Sequence, residues 1–510
     1  MRLRTALFLA TLAAAAVLRF AGLQAKSLWH DELLSWRLLE FPVSEMLERT
    51  GGTGTVHPPL FFICLRGWAA VSGDTEFALR SLPALLGVAT VAGVYALVRS
   101  LPRLGGNQSA GDYDGFGGAA VLAAALVALN PMQIHLAQQA RGYTLGTALV
   151  AWSSWALVRA IEPRGRAGGY WALYGGLALA LCYTHHIGLF TVVSQWLFAG
   201  AYLMRPAAGV PAHGRQRARA LFVAAAVAAG YAVWVPNLLG QADVVAEKSW
   251  QPPSTLFGVA HETYITVTST FAHQAPVDPA EAWVVTALVG LSLAVLLVRG
   301  EWGGRLVAAI GLAPAACLLA YGVLSSPNLY YSRYLSFAEV GWLTGLAVVW
   351  TWMPHPLARA GWAAILLATS ALSCHESWSV IGPEARPGAR AAFAHVQQSR
   401  VPGELVVAGD GYTFLKASYY CPRQGERPRL LVAPANVSRV LRSAHFRSED
   451  LITPDELAAR KPAGVWFVHR GSPPRRLPAE YPEPAVAETF PSDYRWERVV
   501  VVEHRPRVGE

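Results

Sequence analysis

The chain is 510 residues long, 53% hydrophobic and only 15% charged, with 18 tryptophans and a mean hydropathy of +0.32. A soluble chain carries about 25% charged residues, so this deficit excludes an ordinary soluble enzyme, a disordered chain or a coiled coil and points to a polytopic membrane protein. The net charge of +9, from 42 basic and 33 acidic residues, follows the pattern of membrane orientation rather than a nucleic-acid footprint.

The first apolar run, about 6–23, follows Arg2 and Arg4 and has no clean small-residue cleavage site, so it is expected as an uncleaved first helix. Further runs long enough for a hydrocarbon layer of roughly 30 Å fall near 81–98, 117–135, 143–160, 170–184, 187–204, 220–238, 282–298, 304–324, 334–353 and 358–374, about eleven spans in all. The run 58–73 is short, opens with Pro58-Pro59 and carries Arg66 in its middle, which suits a juxtamembrane helix. On that reading Arg2, Arg4, Arg99, Arg103, Arg159, Arg164, Arg166, Arg205, Arg215, Arg217, Arg219, Arg299, Arg305 and Arg359 all lie inside. The opposite short loops hold only Arg141, Lys248 and Arg333. The N-terminus is then cytoplasmic, residues 25–80 and 240–281 form outer loops, and the tail is extracytoplasmic, in a plasma (inner) membrane.

From about 375 the charge density becomes ordinary. Short β-type runs at Glu404–Ala408, Leu430–Val432, Gly464–Val468 and Val499–Val502 alternate with helix-compatible stretches near 388–399 and 412–420. This predicts a small C-terminal α/β domain, 376–510, after a mainly α transmembrane domain, 1–375. Cys64, Cys182, Cys317, Cys374 and Cys421 are scattered without CxxC spacing, so they form no structural zinc pattern. Asn107 and Asn436 each begin a glycosylation sequon, a pattern that also arises by chance.

With this sidedness the unusual polar residues gather on one side. They are Trp29-His30-Asp31-Glu32 and His57-Pro58-Pro59 in the first outer loop, and Asn130-Pro131-Met132-Gln133-Ile134-His135 with Gln138, Gln139, Arg141 and Tyr143 after the third span. Tyr183-Thr184-His185-His186 and Tyr330-Tyr331-Ser332-Arg333-Tyr334 complete the set. Ionisable groups at membrane depth are costly and mark sites or pathways. Each also has a plainer reading. Asp31 and Glu32 either cap the helix that follows or supply a general base and its partner, in either order. His185 and His186 either form a solvated turn or, with His57, bind a phosphate or a divalent ion. Arg141 and Arg333 either snorkel to headgroups or clamp a phosphate. Arg19, inside the first span, either snorkels outward or pairs with Asp31.

As a set, Leu18-Arg19, Ser27-Leu28-Trp29-His30-Asp31-Glu32, His57-Pro58-Pro59-Leu60-Phe61, Glu76 through Pro83, Asn130-Pro131, Gln138-Gln139-Ala140-Arg141-Gly142-Tyr143, Tyr183-Thr184-His185-His186 and Ser332-Arg333-Tyr334 resemble the membrane-embedded GT-C glycosyltransferases. Within these the chain resembles the bacterial branch related to protein O-mannosyltransferases and lipid A aminoarabinose transferases, over roughly residues 1–375. The resemblance implies inverting transfer of a hexosyl or pentosyl unit from a polyprenyl-phosphate donor to a protein, lipid or glycan acceptor on the outer face. Asp31 would be the catalytic base and Glu32 its partner. His57, Arg141, His185, His186 and Arg333 would hold the donor phosphate, with Trp29, Gln139, Tyr143 and Tyr331 lining the site. No cofactor is required by this reading, although a divalent metal on His57, His185 and His186 is compatible with it. Two positions depart from the relatives. His57 stands where aminoarabinose transferases carry a glutamate, and Gln139 stands where many relatives have Glu ahead of Ala-Arg. A lipid or polysaccharide transporter is the alternative from another class, but it should show broken helices meeting mid-membrane and charges deep within spans. A non-catalytic membrane scaffold is the third reading.

Overall fold

The computed structural model describes residues 2–52, 55–105, 110–162, 167–205, 213–248, 255–272, 276–325, 328–381, 388–421, 426–470, 477–478, 480–481, 484–491 and 500–507. The sequon at Asn107, with Arg164 and Arg166, lies outside them. The chain forms two compact units, one of Met1–Ala21, Val56–Cys64 and Arg80–Gly382, the other of Gly22–Thr55, Leu65–Leu79 and Pro383–Glu510.

The first unit is helical. Among the described residues six helices are long and apolar enough to cross a membrane: Arg2–Phe20, Glu76–Leu104, Tyr143–Ile161, Pro279–Val298, Trp302–Leu324 and Pro356–Glu376. Two bent pairs, Gly115–Leu129 with Pro131–Ala137 and Gly214–Ala232 with Val235–Val245, raise the number to eight if each is one span. The chain is thus a multi-pass membrane protein. The apolar runs near 170–184, 187–204 and 334–353 are helices too, Ala167–Thr184, Gly188–Met204 and Ser332–Val349, but they do not meet the same test. In the last of these the buried Ser336, Glu339 and Thr344 lower the apolar content. The run 58–73 forms Leu60–Ser72, whose 13 residues rise only about 20 Å, too little for a span.

Close backbone approach holds part of this bundle. A Cβ on Gly341 would lie 2.5 Å from the Gly311 amide nitrogen, so Trp302–Ser325 and Ser332–Val349 meet where neither has a side chain. The Trp342 indole N–H then reaches the Gly311 carbonyl at 2.8 Å. Arg19 is fully buried rather than snorkelling. Its guanidinium donates to the Val127 carbonyl at 2.9 Å and the Ala128 carbonyl at 3.1 Å, satisfying the end of helix Ala110–Leu129.

The second unit contains a six-stranded mixed sheet of β1 (Leu405–Ala408), β2 (Arg429–Leu431), β3 (Leu451–Ile452), β4 (Gly464–His469), β5 (Val486–Phe490) and β6 (Val500–Pro506). Its order is β3-β2-β1-β4-β6-β5, parallel from β3 to β4 and antiparallel at β4–β6 and β6–β5. Side chains alternate across β4: Trp466 and Val468 join Ala389, Ala392, Phe393 and Val396 of helix Gly388–Ser399, while Val465 and Phe467 join Leu457 on the other face. Both faces are covered, which is why β1 and β4 read as continuous apolar runs.

The first-loop helices His30–Leu39 and Val43–Gly51 belong to this unit. Arg37, nearly fully buried, pairs with Asp450 at 2.5 Å and donates to the His445 carbonyl at 3.1 Å. Phe41 lies between two guanidiniums, Arg49 at 4.1 Å and Arg447 at 4.3 Å. Arg390 and the Tyr420 hydroxyl both donate to the Glu76 carboxylate, and the Tyr420 oxygen accepts the Leu28 N–H at 2.6 Å.

The helix crossing gives a direct test. Gly341→Leu should lower the melting temperature of the detergent-purified protein, because overpacking costs about 1–3 kcal/mol. Gly290→Ala, inside helix Pro279–Val298 and with open space at its Cβ, should not lower it.

Candidate functional site

In the second unit the first-loop motif is built as a helix start. Trp29 is the extended N-cap residue of His30–Leu39, and Glu32 at the third helical position turns back to accept the Trp29 N–H at 3.2 Å. This is one half of a capping box. Glu32 is fully buried and Trp29 buried, whereas Asp31 in the same first turn is partly exposed. Adjacent carboxylates are therefore sorted by environment. One is committed to the backbone, and the other stands partly exposed in the first turn of the helix. His30 stacks on Tyr412 with 3.6 Å between ring centroids, and Arg470 covers the same tyrosine at 4.0 Å while pairing with Asp410.

In the first unit the site depends on the break at Asn130. Asn130 caps helix Pro131–Ala137 by accepting the Gln133 N–H at 2.8 Å, and Pro131 takes the first helical position, where no N–H is needed. The Asn130 amide also donates to the Thr266 and Val267 carbonyls, at 3.2 and 3.0 Å. Gln138 donates to the Leu18 and Ala21 carbonyls. The turn so anchored delivers Arg141, which is largely buried. Its Nη2 lies 2.7 Å from His57 Nε2. A guanidinium can only donate, so Nε2 accepts and the His57 proton sits on Nδ1. His57, Phe61, Arg141, Tyr143, Thr184 and His185 line a small cleft.

His185 is buried, 5.0 Å from His57 and 5.5 Å from Tyr143 between ring centroids. Its Nδ1 accepts the Ile187 N–H at 3.3 Å, which leaves Nε2 as an N–H donor. Among the described residues that buried donor has no acceptor. Arg333 lies among three rings, Tyr331 at 5.4 Å, Tyr334 at 5.5 Å and Phe271 at 5.8 Å. Burial holds the His57 imidazole well below its ordinary value, and Arg141, His185, His186 and Arg333 lower it further. Burial, His186, Arg141 and Arg333 do the same to His185. Both rings are neutral near pH 7, so the positive charge of the cluster resides on the two guanidiniums.

Arg141, His57, His185 and Tyr143 therefore come together, with Arg333 within electrostatic range. His186 turns away. Its ring lies 2.8 Å from the Gln241 amide oxygen and 3.3 Å from the Tyr231 hydroxyl. The three-histidine metal reading thus loses a ligand, and among the described residues no group of three His, Cys, Asp or Glu side chains could hold an ion. Gln139 is buried, and among the described residues neither end of its amide has a partner. Tyr331 caps helix Ser332–Val349 from the outside of its first turn.

Several contributors carry no role in the sequence reading. His135 stacks on Phe271 at 4.6 Å, Glu262 accepts the Ser332 N–H at 2.7 Å, and the fully buried Glu339 accepts from Gln133 at 2.8 Å. An acidic residue within the apolar run 334–353 is a visible signal. Phe271 and Glu262 have none, because their partners are distant in sequence.

No protein-family model and no curated protein matches the chain. Solved structures do. ArnT from Cupriavidus metallidurans in the apo state superposes with a TM-score of 0.59 at 12% identity, covering 98% of this chain and 98% of that one. The same protein bound to undecaprenyl phosphate gives 0.58 at 12% identity, covering 97% of each. The Archaeoglobus fulgidus oligosaccharyltransferase in complex with Zn and sulfate gives 0.45 at 14% identity, over 86% of this chain, which spans 61% of that protein. The chain has the GT-C fold of ArnT, along essentially its whole length.

Proposed function

We propose that the protein is an inverting glycosyltransferase that moves a sugar from a polyprenyl-phosphate donor to a protein, lipid or glycan acceptor on the outer face of the membrane. The observation that carries this reading is the pair of guanidiniums, Arg141 and Arg333, near the buried His185 Nε2–H, which has no acceptor among the described residues, in a fold shared with a protein that binds undecaprenyl phosphate. A phosphate offers oxygens that guanidiniums and an imidazole N–H bind well.

In this mechanism an acceptor hydroxyl or amine attacks the anomeric carbon from the face opposite the phosphate. The bond from that carbon to the phosphate oxygen breaks, and its electron pair leaves with polyprenyl phosphate. Arg141, Arg333 and His185 Nε2–H stabilise the charge that develops there. The acceptor proton passes to the Asp31 carboxylate. Glu32 is a positioning residue, since its carboxylate holds the Trp29 backbone on which Asp31 stands. His57 orients Arg141 through its Nε2 lone pair. The domain assignment 1–375 and 376–510, the cytoplasmic N-terminus and the extracytoplasmic tail belong to this same reading.

Two experiments follow from the site. Asp31→Asn should reduce transfer about 10²- to 10⁴-fold while leaving undecaprenyl-phosphate binding and melting temperature unchanged. Glu32→Ala should instead lower the melting temperature, since an unpaired buried N–H costs about 1–3 kcal/mol, and Glu32→Gln should restore it. If Glu32→Gln abolishes transfer and Asp31→Asn does not, the two roles are reversed.

Arg141→Ala should weaken undecaprenyl-phosphate binding roughly 10- to 100-fold, the value of a hydrogen bond to a charged group, and Arg141→Lys should recover only part of it. Both imidazoles are already neutral, so binding by the wild type should not weaken as pH rises from about 6 to 8. The linked stability has the opposite sense to that of a paired cation. It is full above the ordinary histidine value near 6.5 and is lost as pH falls below it toward the depressed folded value. Melting curves at pH 8 and pH 5 measure it.

A further inference from the structure

The first unit has a second charged cavity. Its walls come from the start of helix Arg2–Phe20, the end of Pro279–Val298 and the start of Pro356–Glu376, with the turn Trp350–Trp352 and the glycines Gly303 and Gly304. Through their connections these helix ends share one end of the bundle. The break at Asn130 and the starts of Tyr143–Ile161 and Ser332–Val349 lie at the other. The cavity, of about 530 Å³, is lined among the described residues by Arg4, Arg299 and Arg359 and by one acid, Glu301. Arg359 is held in place, with Nε donating to the Met353 carbonyl at 2.6 Å and Nη2 to the Thr351 carbonyl at 3.4 Å. The Trp350 indole N–H donates to the Arg359 carbonyl at 2.9 Å, so ring and guanidinium form one wall.

We infer that this cavity binds the phosphodiester headgroup of an anionic membrane phospholipid, the headgroup held by Arg4, Arg299 and Arg359. The phosphate chemistry follows from three guanidiniums and, among the described residues, one carboxylate around an open volume. The lipid source follows from the helices that carry them. Arg2–Phe20 and Pro356–Glu376 are each only 11% buried along their most apolar stretch, the lowest of the six spans. Leu3 and Leu7 beside Arg4, and Leu357 beside Arg359, are exposed. A headgroup in the cavity can therefore lay its acyl chains along these apolar faces. Trp350 and Trp352 suit the headgroup level, where indoles concentrate. Basic pockets between membrane helices bind anionic headgroups by the same electrostatics. Nothing in the transfer mechanism uses this cavity.

The test compares thermal stabilisation of the full-length protein by phosphatidylglycerol and by phosphatidylcholine in mixed micelles, with inorganic phosphate as a third additive. Wild type should be stabilised by phosphatidylglycerol at concentrations where phosphatidylcholine has no effect. The Arg4→Gln/Arg299→Gln double variant should need at least about tenfold more lipid. Arg205→Gln, which removes a cation at the same bundle end but outside the cavity, should respond like wild type. An unchanged response in the double variant, or an equal loss in Arg205→Gln, overturns the site. Equal stabilisation by millimolar inorganic phosphate overturns the lipid as its occupant.

Discussion

The break at Asn130 is the constraint on which the first unit depends. A helix that stops inside a bundle leaves carbonyls and N–H groups that must find partners away from water. Arg19 takes the carbonyls of Val127 and Ala128, and the Asn130 side chain takes the N–H of Gln133. The chain then turns by 60° into Pro131–Ala137. Gln138, tied to the end of the first helix, fixes the turn that follows. Arg141 follows directly on this anchored turn, against His57. Its guanidinium is placed by backbone hydrogen bonding that begins more than a hundred residues away in sequence.

The second unit solves a different problem with the same chemistry. Two adjacent acids must not compete for one role. Full burial and a backbone partner commit Glu32 to the helix start, while Asp31 in the same turn is partly exposed. The helix carrying them is braced by the sheet-bearing tail through Arg37 and Asp450, and the segment before it through the Tyr420 hydroxyl. A tail of this kind has a mechanical task whatever it recognises. It holds the first-loop helices in a single arrangement.

Much of this was legible in the sequence, for physical reasons that differ by element. The tail strands β1, β2, β4 and β6 and the helices Gly388–Ser399 and Gly411–Tyr420 announce themselves by apolar runs and by period. The two-residue β3 and the exposed β5 carry neither signal. The first-loop motif and Arg141 stand out because ionisable residues beside apolar runs are costly. The arrangement of the histidines was not legible. His185 and His186 are neighbours in sequence, but the turn between their helices sends one toward His57 and the other toward Gln241. Nor was the destination of Arg19, since a buried guanidinium can be satisfied by carbonyls that no spacing rule reveals. Hydropathy also cannot see that the helix in the run 117–135 is broken at Asn130, or that Ser332–Val349 carries polar side chains where it is buried.

The most direct test is transfer of radiolabelled sugar by the purified protein from synthetic polyprenyl-phosphate donors to extracted envelope acceptors, with the anomeric configuration of the product determined. The proposed mechanism predicts a labelled product whose anomeric configuration is opposite to that of the donor. A product with retained configuration would contradict a single displacement with Asp31 as base. Folded protein that binds undecaprenyl phosphate yet transfers no sugar from any donor would contradict the enzyme itself.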